Sequence, residues 1–378
     1  MGPLAGLKVV ELVGLAPAPF AATVLADYGA EVVRVDRVRA GFDVPVFPRD
    51  PLSRSRRWIG VDTKSPAGRD IVLRLVDEAD GLIEGYRPGV TERLGLGPSD
   101  CLDRNPRLVY GRITGWGQDG PMAPTAGHDI NYIGLSGALE PIGRAGERPV
   151  PPLNLLGDFG GGGMLLAMGV LAALVERSVS GRGQVVDASM VEGSALLTAG
   201  MHGLLNLGMW SRGRGRNMLD GGAPFYDTYE TSDGKYVAVG AIEERFWGAL
   251  MGVLEIDPAT VAGRLDPEQW PAVRSVLDAV IRTRTRDEWA KRAEGTDACL
   301  TPVLTPAEAP AHPHNAARGS FVTLDGDNQP APAPRFSRTV PDTPTAPVEP
   351  RSSTGEVLTE LGYAPSDIDR LRSDGVVT

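Results

Sequence analysis

Residues 7–36, LKVVELVGLAPAPFAATVLADYGAEVVRVD, decide the fold. LKVVEL at 7–12 is a short apolar run suited to a buried strand. Residues 17–28 carry apolar positions at helical spacing and stop at Gly29, and AEVVRVD at 30–36 is a second strand. Strand, helix and strand joined by links this short form a parallel βαβ unit. The pattern recurs downstream. RWIGVD precedes a helix over 66–79 opened by Ser65 and Pro66, GLIEGY leads to a short helix toward RLGLG, and LVYGRITGWG is a further strand. A large, open, parallel-sheet (Rossmann-like) α/β domain is expected. Its first turn reads GLAPAP rather than GxGxxG, so the backbone cannot approach a pyrophosphate in the dinucleotide manner, and an NAD or FAD reading is rejected. GxxxxGK[ST], HExxH and GxSxG are absent too.

The chemistry points to residues 126–163, AGHDINYIGLSGALEPIGRAGERPVPPLNLLGDFGGGG, which hold His128, one of four histidines, and Asp158. The glycines lead into MLLAMGVLAALV at 164–175, expected to be a buried helix too short to span a bilayer. An acid where a helix begins has free N–H groups and a positive end beside it, and a developing anion would meet the same donors. His128 reads either as a helix-start histidine bonded locally or as a general base, since imidazole titrates near neutral pH. Asp158 reads either as an N-cap or as a proton-transfer acid. Capping leaves the four glycines after Phe159 unexplained, because glycine costs helix stability; close approach by another backbone or a ligand accounts for them. Asn154, four residues before Asp158, and Glu243, at the end of the strand KYVAVGAI, are candidates to orient a proton-transfer residue.

After GQVVDASM, a strand, residues 191–210 are helical, and the Gly- and Arg-rich 213–222 look like a crossing linker. FYDTYET and KYVAVGA are strands around Ser232-Asp233-Gly234, helices follow near 244–254, 269–282 and 287–294, and CLTPVLT and SFVTLDG are further strands. This is a smaller α+β domain. Residues 329–351 read as an extended strap, and the tail holds a helix over 355–361. The expected division is a large domain 1–187 completed by 331–378, a linker 188–222, a small domain 223–318 and a return linker 319–330.

Hydrophobic and charged contents of 42% and 23% are those of a soluble globular protein. The 38 basic and 48 acidic residues leave −10, which argues against nucleic acid as main partner, since phosphate-driven binding needs a basic face. Cys101 and Cys299 are far apart and no targeting segment stands out, so reduced thiols and a cytoplasmic location are expected. Arg37, Arg54, Arg56, Arg57, Lys64, Arg87 and Arg93 lie near expected strand ends. Ligands of open α/β sheets sit beyond the strands' carboxyl ends, and a basic cluster there suits a small phosphate-bearing polyanion. His312-Pro313-His314 has no third metal ligand at sensible spacing and reads as a loop.

Several stretches, among them GPLAGLKVVEL, IEGYRPGVTERLGLGP, TGWGQDGP, GHDINY, PPLNLLGDFGGG, GQVVDASMVEG and MLDGGAPFYDTYET, resemble the bacterial α-methylacyl-CoA racemases of the family III CoA-transferase superfamily. The likeness runs from Gly2 to about Val348 and departs at residues 38–56 and after Arg351, stretches that would bear on substrate choice or the CoA rim. It implies two domains joined by long linkers and two chains interlocked into a dimer, with the active site between the large domain of one subunit and the small domain of the other. It implies that His128 and Asp158 are the catalytic bases, with Glu243 paired to the histidine and Asn154 to the aspartate. Leu15, Arg37, Lys64, Tyr86, Arg87, Arg93, Asp129 and Tyr132 fall where the family holds CoA. The implied substrates are 2-methyl-branched acyl-CoA thioesters, CoA being part of the substrate; no metal or flavin is implied. Inverting the carbon beside a thioester needs a base on one face of a planar enolate and an acid on the other, with donors for the enolate oxygen expected at Gly157–Gly160. The rival within the superfamily is a CoA-transferase in which Asp158 attacks the thioester; a non-catalytic acyl-CoA-binding protein is the rival from another class.

Overall fold

The computed structural model describes residues 2–38, 50–210 and 212–378; residues 39–49 of the divergent stretch lie outside the described residues. Strands β1 (Lys8–Leu12), β2 (Glu31–Asp36), β3 (Arg56–Gly60), β4 (Gly81–Glu84), β5 (Val109–Thr114) and β6 (Val185–Ser189) alternate with α1 (Pro17–Asp27), α2 (Pro66–Glu78), α3 (Val90–Arg93), α4 (Pro98–Arg104), α5 (Asp129–Leu135) and α6 (Leu165–Ser180). A π-helical segment, Leu155–Met164, runs directly into α6. Then follow α7 (Met190–Leu197), α8 (Ala199–Asn206), β7 (Tyr226–Glu230), β8 (Tyr236–Gly240), α9 (Glu244–Leu254), α10 (Trp270–Ile281), α11 (Arg286–Ala293), β9 (Leu300–Pro302), α12 (Pro313–Arg318), β10 (Phe321–Leu324), β11 (Asp327–Pro330), α13 (Thr354–Glu360) and α14 (Pro365–Ser373).

β1 to β6 form one parallel sheet in the order β3-β2-β1-β4-β5-β6. Successive residues of a strand point to opposite faces, and here both faces are apolar because helices cover both. Val9, Val32 and Ile83 join a core with Ala21, Ala22 and Leu25 of α1 and Leu166 and Val170 of α6. Val10, Val33 and Leu82 join the opposite core with Ile71 and Val72 of α2. α2 starts where the sequence placed it, because the Ser65 hydroxyl accepts the Gly68 N–H and Pro66 needs no donor partner at the first turn. The connections reverse direction between the neighbours β1 and β4, which opens a crevice at the carboxyl ends there.

Two sequence expectations change. The apolar helix is half-buried: Leu166, Ala167, Val170 and Ala173 face the core, while Met168 (57%), Val175 (69%) and Val179 (88%) are exposed. It is also longer than the 164–175 read from hydropathy. With the π-helical turns, Leu155–Ser180 spans 26 residues and holds an 18-residue stretch of mean hydropathy 1.7, long and apolar enough to cross a membrane by length and composition. As the crossover between β5 and β6, it covers the sheet with one stripe. The tail has two helices rather than one and is built into the core, with Val357, Leu358, Ile368, Leu371 and Val377 among the buried residues of the α2 side. Val377 bridges Val61, and the Gly60 N–H donates to Thr354 Oγ1 at 3.0 Å, so the tail covers the edge strand β3.

The chain divides into two compact units: residues 1–136, 153–197 and 316–378, and residues 137–152 with 198–315. In the second, β7, β8 and β9 form an antiparallel sheet, with Trp247, Leu250, Leu277 and Trp289 in its core. Residues 137–152, read from sequence as part of the large domain, belong to this unit. Arg214 donates to the carbonyls of Glu140 (2.8 Å) and Glu147 (2.7 Å), and Arg144 pairs with Asp227 at 2.6 Å. The expected linkers are largely regular: 188–222 contains α7 and α8, and 319–330 contains the β10–β11 hairpin.

Candidate active site

A cleft of about 330 Å³ opens at the switch point of the parallel sheet, lined by Leu15 after β1, Arg37 after β2, Tyr86 and Arg87 after β4, Trp116 after β5, and by His128, Tyr132 and Asp158. His128 is the residue before the first turn of α5, with extended backbone and an exposed side chain. Its N–H donates to Asn131 Oδ1 at 3.0 Å, and the Asn131 N–H returns to the His128 carbonyl at 2.8 Å. The local bonds of the first reading are present, and they engage the backbone of a residue that also lines the cleft.

Asp158 does not cap an α-helix. It sits inside the π-helical segment, whose chain enters through Leu153 at φ 58° and Asn154. Asn154 Nδ2 donates to Asp158 Oδ2 at 3.1 Å, the pairing that the family resemblance implied. The Asp158 amide donates to Asp129 Oδ2 at 2.7 Å, so it is not free for an enolate as expected of Gly157–Gly160. Burial raises the Asp158 carboxyl above the usual aspartate range; the Asn154 hydrogen bond and the His128 charge oppose the rise, and the Asp129 charge adds to it.

The glycine run is explained by backbone contact. A Cβ on Gly161 would stand 2.5 Å from the Ser194 N of α7, one on Gly163 2.5 Å from the Pro17 carbonyl of α1, and one on Gly157 2.6 Å from Asp129 Oδ2. Facing them, a Cβ on Gly193 of α7 would lie 1.8 Å from the Gly161 carbonyl. Gly193→Ala is therefore expected to destabilise the fold by about 1–3 kcal/mol, as overpacking does. Because the backbone that gives way carries Asp158, activity per folded molecule should fall as well. Chemical denaturation alongside turnover checks both.

Of the residues expected to hold CoA, Leu15, Arg37, Tyr86, Arg87 and Tyr132 line the cleft. Lys64, after β3, and Arg93, in α3, are exposed and outside the lining, both following the carboxyl end of a strand. Asp129 is buried, 6% exposed, its carboxylate engaged by the Asp158 amide. Glu243 belongs to the second unit, immediately before α9, where its carbonyl accepts the Trp247 N–H. The other arginines of the expected cluster are structural. Arg54 pairs with Asp27, Arg56 Nη1 lies 2.8 Å from Glu11 Oε2, and Arg57 pairs with Glu31 and Glu360, all at the amino end of β3, away from the crevice. Sequence reading missed Trp116, which meets the Tyr132 ring edge-on at 4.8 Å. Its signal was the flanking Gly115, where a Cβ would stand 2.1 Å from the Tyr132 ring. His314 lies in α12 rather than a loop, and among the described residues no three of His, Cys, Asp and Glu are grouped to hold a metal ion.

Residues 4–356 match the family described as CoA-transferase family III. The chain is 47% identical to the α-methylacyl-CoA racemase of Mus musculus over 99% of its length and 97% of that protein. It is 46% identical to the α-methylacyl-CoA racemase of Homo sapiens, covering 99% and 97%. Among solved structures, a CAIB/BAIF family protein from Brucella suis superposes with a TM-score of 0.79 at 27% identity, covering 95% of this chain and 99% of that one.

Proposed function

From the premise that this chain belongs to CoA-transferase family III, we propose that it interconverts the (2R) and (2S) forms of 2-methylacyl-CoA thioesters by proton transfer at C2. Nearly full-length identity to two α-methylacyl-CoA racemases supports the reading. The observation that carries it is the convergence of an imidazole, His128, and a carboxyl group held above its usual range, Asp158, on one cleft at the sheet's switch point. In one direction His128 takes the C2 proton, the C–H electron pair moves into the thioester as an enolate, and protonated Asp158 returns a proton to the opposite face. In the other direction the roles exchange. The thioester acidifies C2, so no other group need carry the electrons, and CoA enters as part of the substrate.

Arg37 and Arg87 meet the CoA phosphates, with Lys64 and Arg93 at the rim, Leu15 and Tyr86 along the body of the cofactor-like tail, and Tyr132 near the reacting end. A second copy of the chain is the proposed partner. Met164, Met168, Val175 and Val179 form an exposed apolar stripe, the kind of face that a partner chain covers. In that dimer Glu243 of the second unit would orient the histidine from the partner subunit. The two free thiols fit a reducing, cytoplasmic compartment.

Deuterium separates the readings. In D2O, with one epimer of a 2-methylacyl-CoA and no acceptor acid, the racemase places deuterium at C2 as the configuration equilibrates. A transferase requires a second acid and leaves the C2 hydrogen in place, and that result would overturn the proposal. A binding protein would show neither reaction.

A further inference from the structure

We propose that Asp129 is a positioning residue, whose carboxylate ties the backbone of Asp158 to the helix that begins beside His128 and so sets the spacing of the acid/base pair. The inference rests on the racemase reading above. Asp129 follows His128 directly and opens α5, so any group that Asp129 grips is fixed relative to the histidine's backbone. What it grips is the Asp158 amide, at 2.7 Å, across 29 residues of sequence. The contact is built into the chain twice over. Asp129 is only 6% exposed, and its buried Oδ1 has no hydrogen-bond partner among the described residues, an expensive arrangement for a side chain that merely filled space. On the other side Gly157 admits it, since a Cβ there would overlap Asp129 Oδ2 at 2.6 Å and Cγ at 2.9 Å. A neutral apolar residue at 129 with an alanine at 157 would close the same space at lower cost but would leave the Asp158 turn without a strut.

The charge acts as well. Around the Asp158 carboxyl stand the Asn154 amide, the His128 ring and the Asp129 carboxylate; the Tyr132 phenol, which also senses Arg87, faces it. Of these, Asp129 is the one whose charge favours the protonated acid.

Asp129→Asn and Asp129→Ala in the full chain test the proposal. Asparagine keeps an acceptor for the amide and removes the charge; alanine removes both. For Asp129→Ala, kcat should fall roughly 10- to 100-fold with KM little changed, the loss that a misplaced reacting group brings. Asp129→Asn should recover most of kcat while the acid limb of kcat/KM, in the direction where Asp158 is the base, moves to lower pH. A raised KM with unchanged kcat would instead make Asp129 a CoA contact and overturn the proposal. So would an unshifted pH profile in Asp129→Asn, which remains measurable if the alanine variant fails to fold. Hydrogen exchange of the peptide spanning 155–164 is independent of the reaction: it should quicken in Asp129→Ala and stay slow in Asp129→Asn. Unchanged exchange in Asp129→Ala would overturn the strut even in an active racemase. Quickened exchange with no deuterium at C2 in the wild type would keep the strut and sink the racemase reading.

Discussion

Asp158→Asn is expected to lower epimerisation in both directions by about 10²- to 10⁴-fold, the range that a positioned general acid or base contributes. It should nonetheless leave slow deuterium entry into one epimer. The asymmetry is the informative part. With Asp158 unable to take or give a proton, His128 can still remove the C2 hydrogen from the epimer that presents it on the imidazole side and return deuterium to that same face. Configuration is retained, and the other epimer stays unlabelled. His128→Ala should show the mirror image, with exchange confined to the opposite epimer. Asparagine is the sharper substitution at 158 because it keeps the size of the side chain beside Asn154. Equal residual exchange of both epimers in either variant would mean that a single group serves both faces. The wild-type pH profile belongs to the same prediction. Burial holds the Asp158 carboxyl above the usual range, so the direction that needs it ionised should lose rate at a pH above that of an ordinary aspartate. The linkage to stability has the same origin. A raised folded-state pKa favours the protonated fold, so this contribution is full below the ordinary aspartate value and is lost as pH rises through the raised one.

The second large effect concerns stability. Arg56→Met should cost about 3–5 kcal/mol at neutral pH, because removing one member of a buried ion pair strands the other. The Arg56 and Glu11 side chains are 1% and 0% exposed, with Nη1 2.8 Å from Oε2. Nη2 of Arg56 also donates to the Pro19 carbonyl and to Thr23 Oγ1, which ties β3 to α1. Without Arg56, Glu11 keeps Arg34 at 3.5 Å and little else. Two controls isolate the cause. Acidification should restore part of the variant's stability, since protonation removes the buried charge that Arg56 no longer balances. Adding Glu11→Gln should recover stability in the double variant, which a double-mutant cycle reads as a coupling energy. Denaturant unfolding at neutral and mildly acidic pH measures both. Retained stability in Arg56→Met would show that the pair is replaceable and that the phosphate-binding reading of this arginine deserves another test.

The parallel architecture was legible in the sequence because its signals are local. LKVVEL and AEVVRVD are apolar on both faces, Ser65-Pro66 starts a helix, and Gly29 ends one, each through interactions within a few residues. His128 and Asp158 stood out for the same reason: histidine is scarce in this chain and the glycine run is unusual for a helix, whereas the pairing of Asn154 with Asp158 came only from the family resemblance. What a side chain meets across the fold was not. Arg54, Arg56 and Arg57 stand in sequence like Arg37 and Arg87, and nothing local says that three of them meet acids at the amino end of β3 while the other two line the crevice. Asp129 read as one more cleft residue until the close backbone approach at Gly157 put its carboxylate against an amide 29 residues away. Even the apolar helix, plain in hydropathy, had its exposed stripe assigned by the sheet it crosses rather than by its composition. Chain order set the strands, the helices and the chemical groups; only the packing of distant segments determined which side chains are buried against one another and which line the cleft, because burial and Coulomb interactions depend on separation in space.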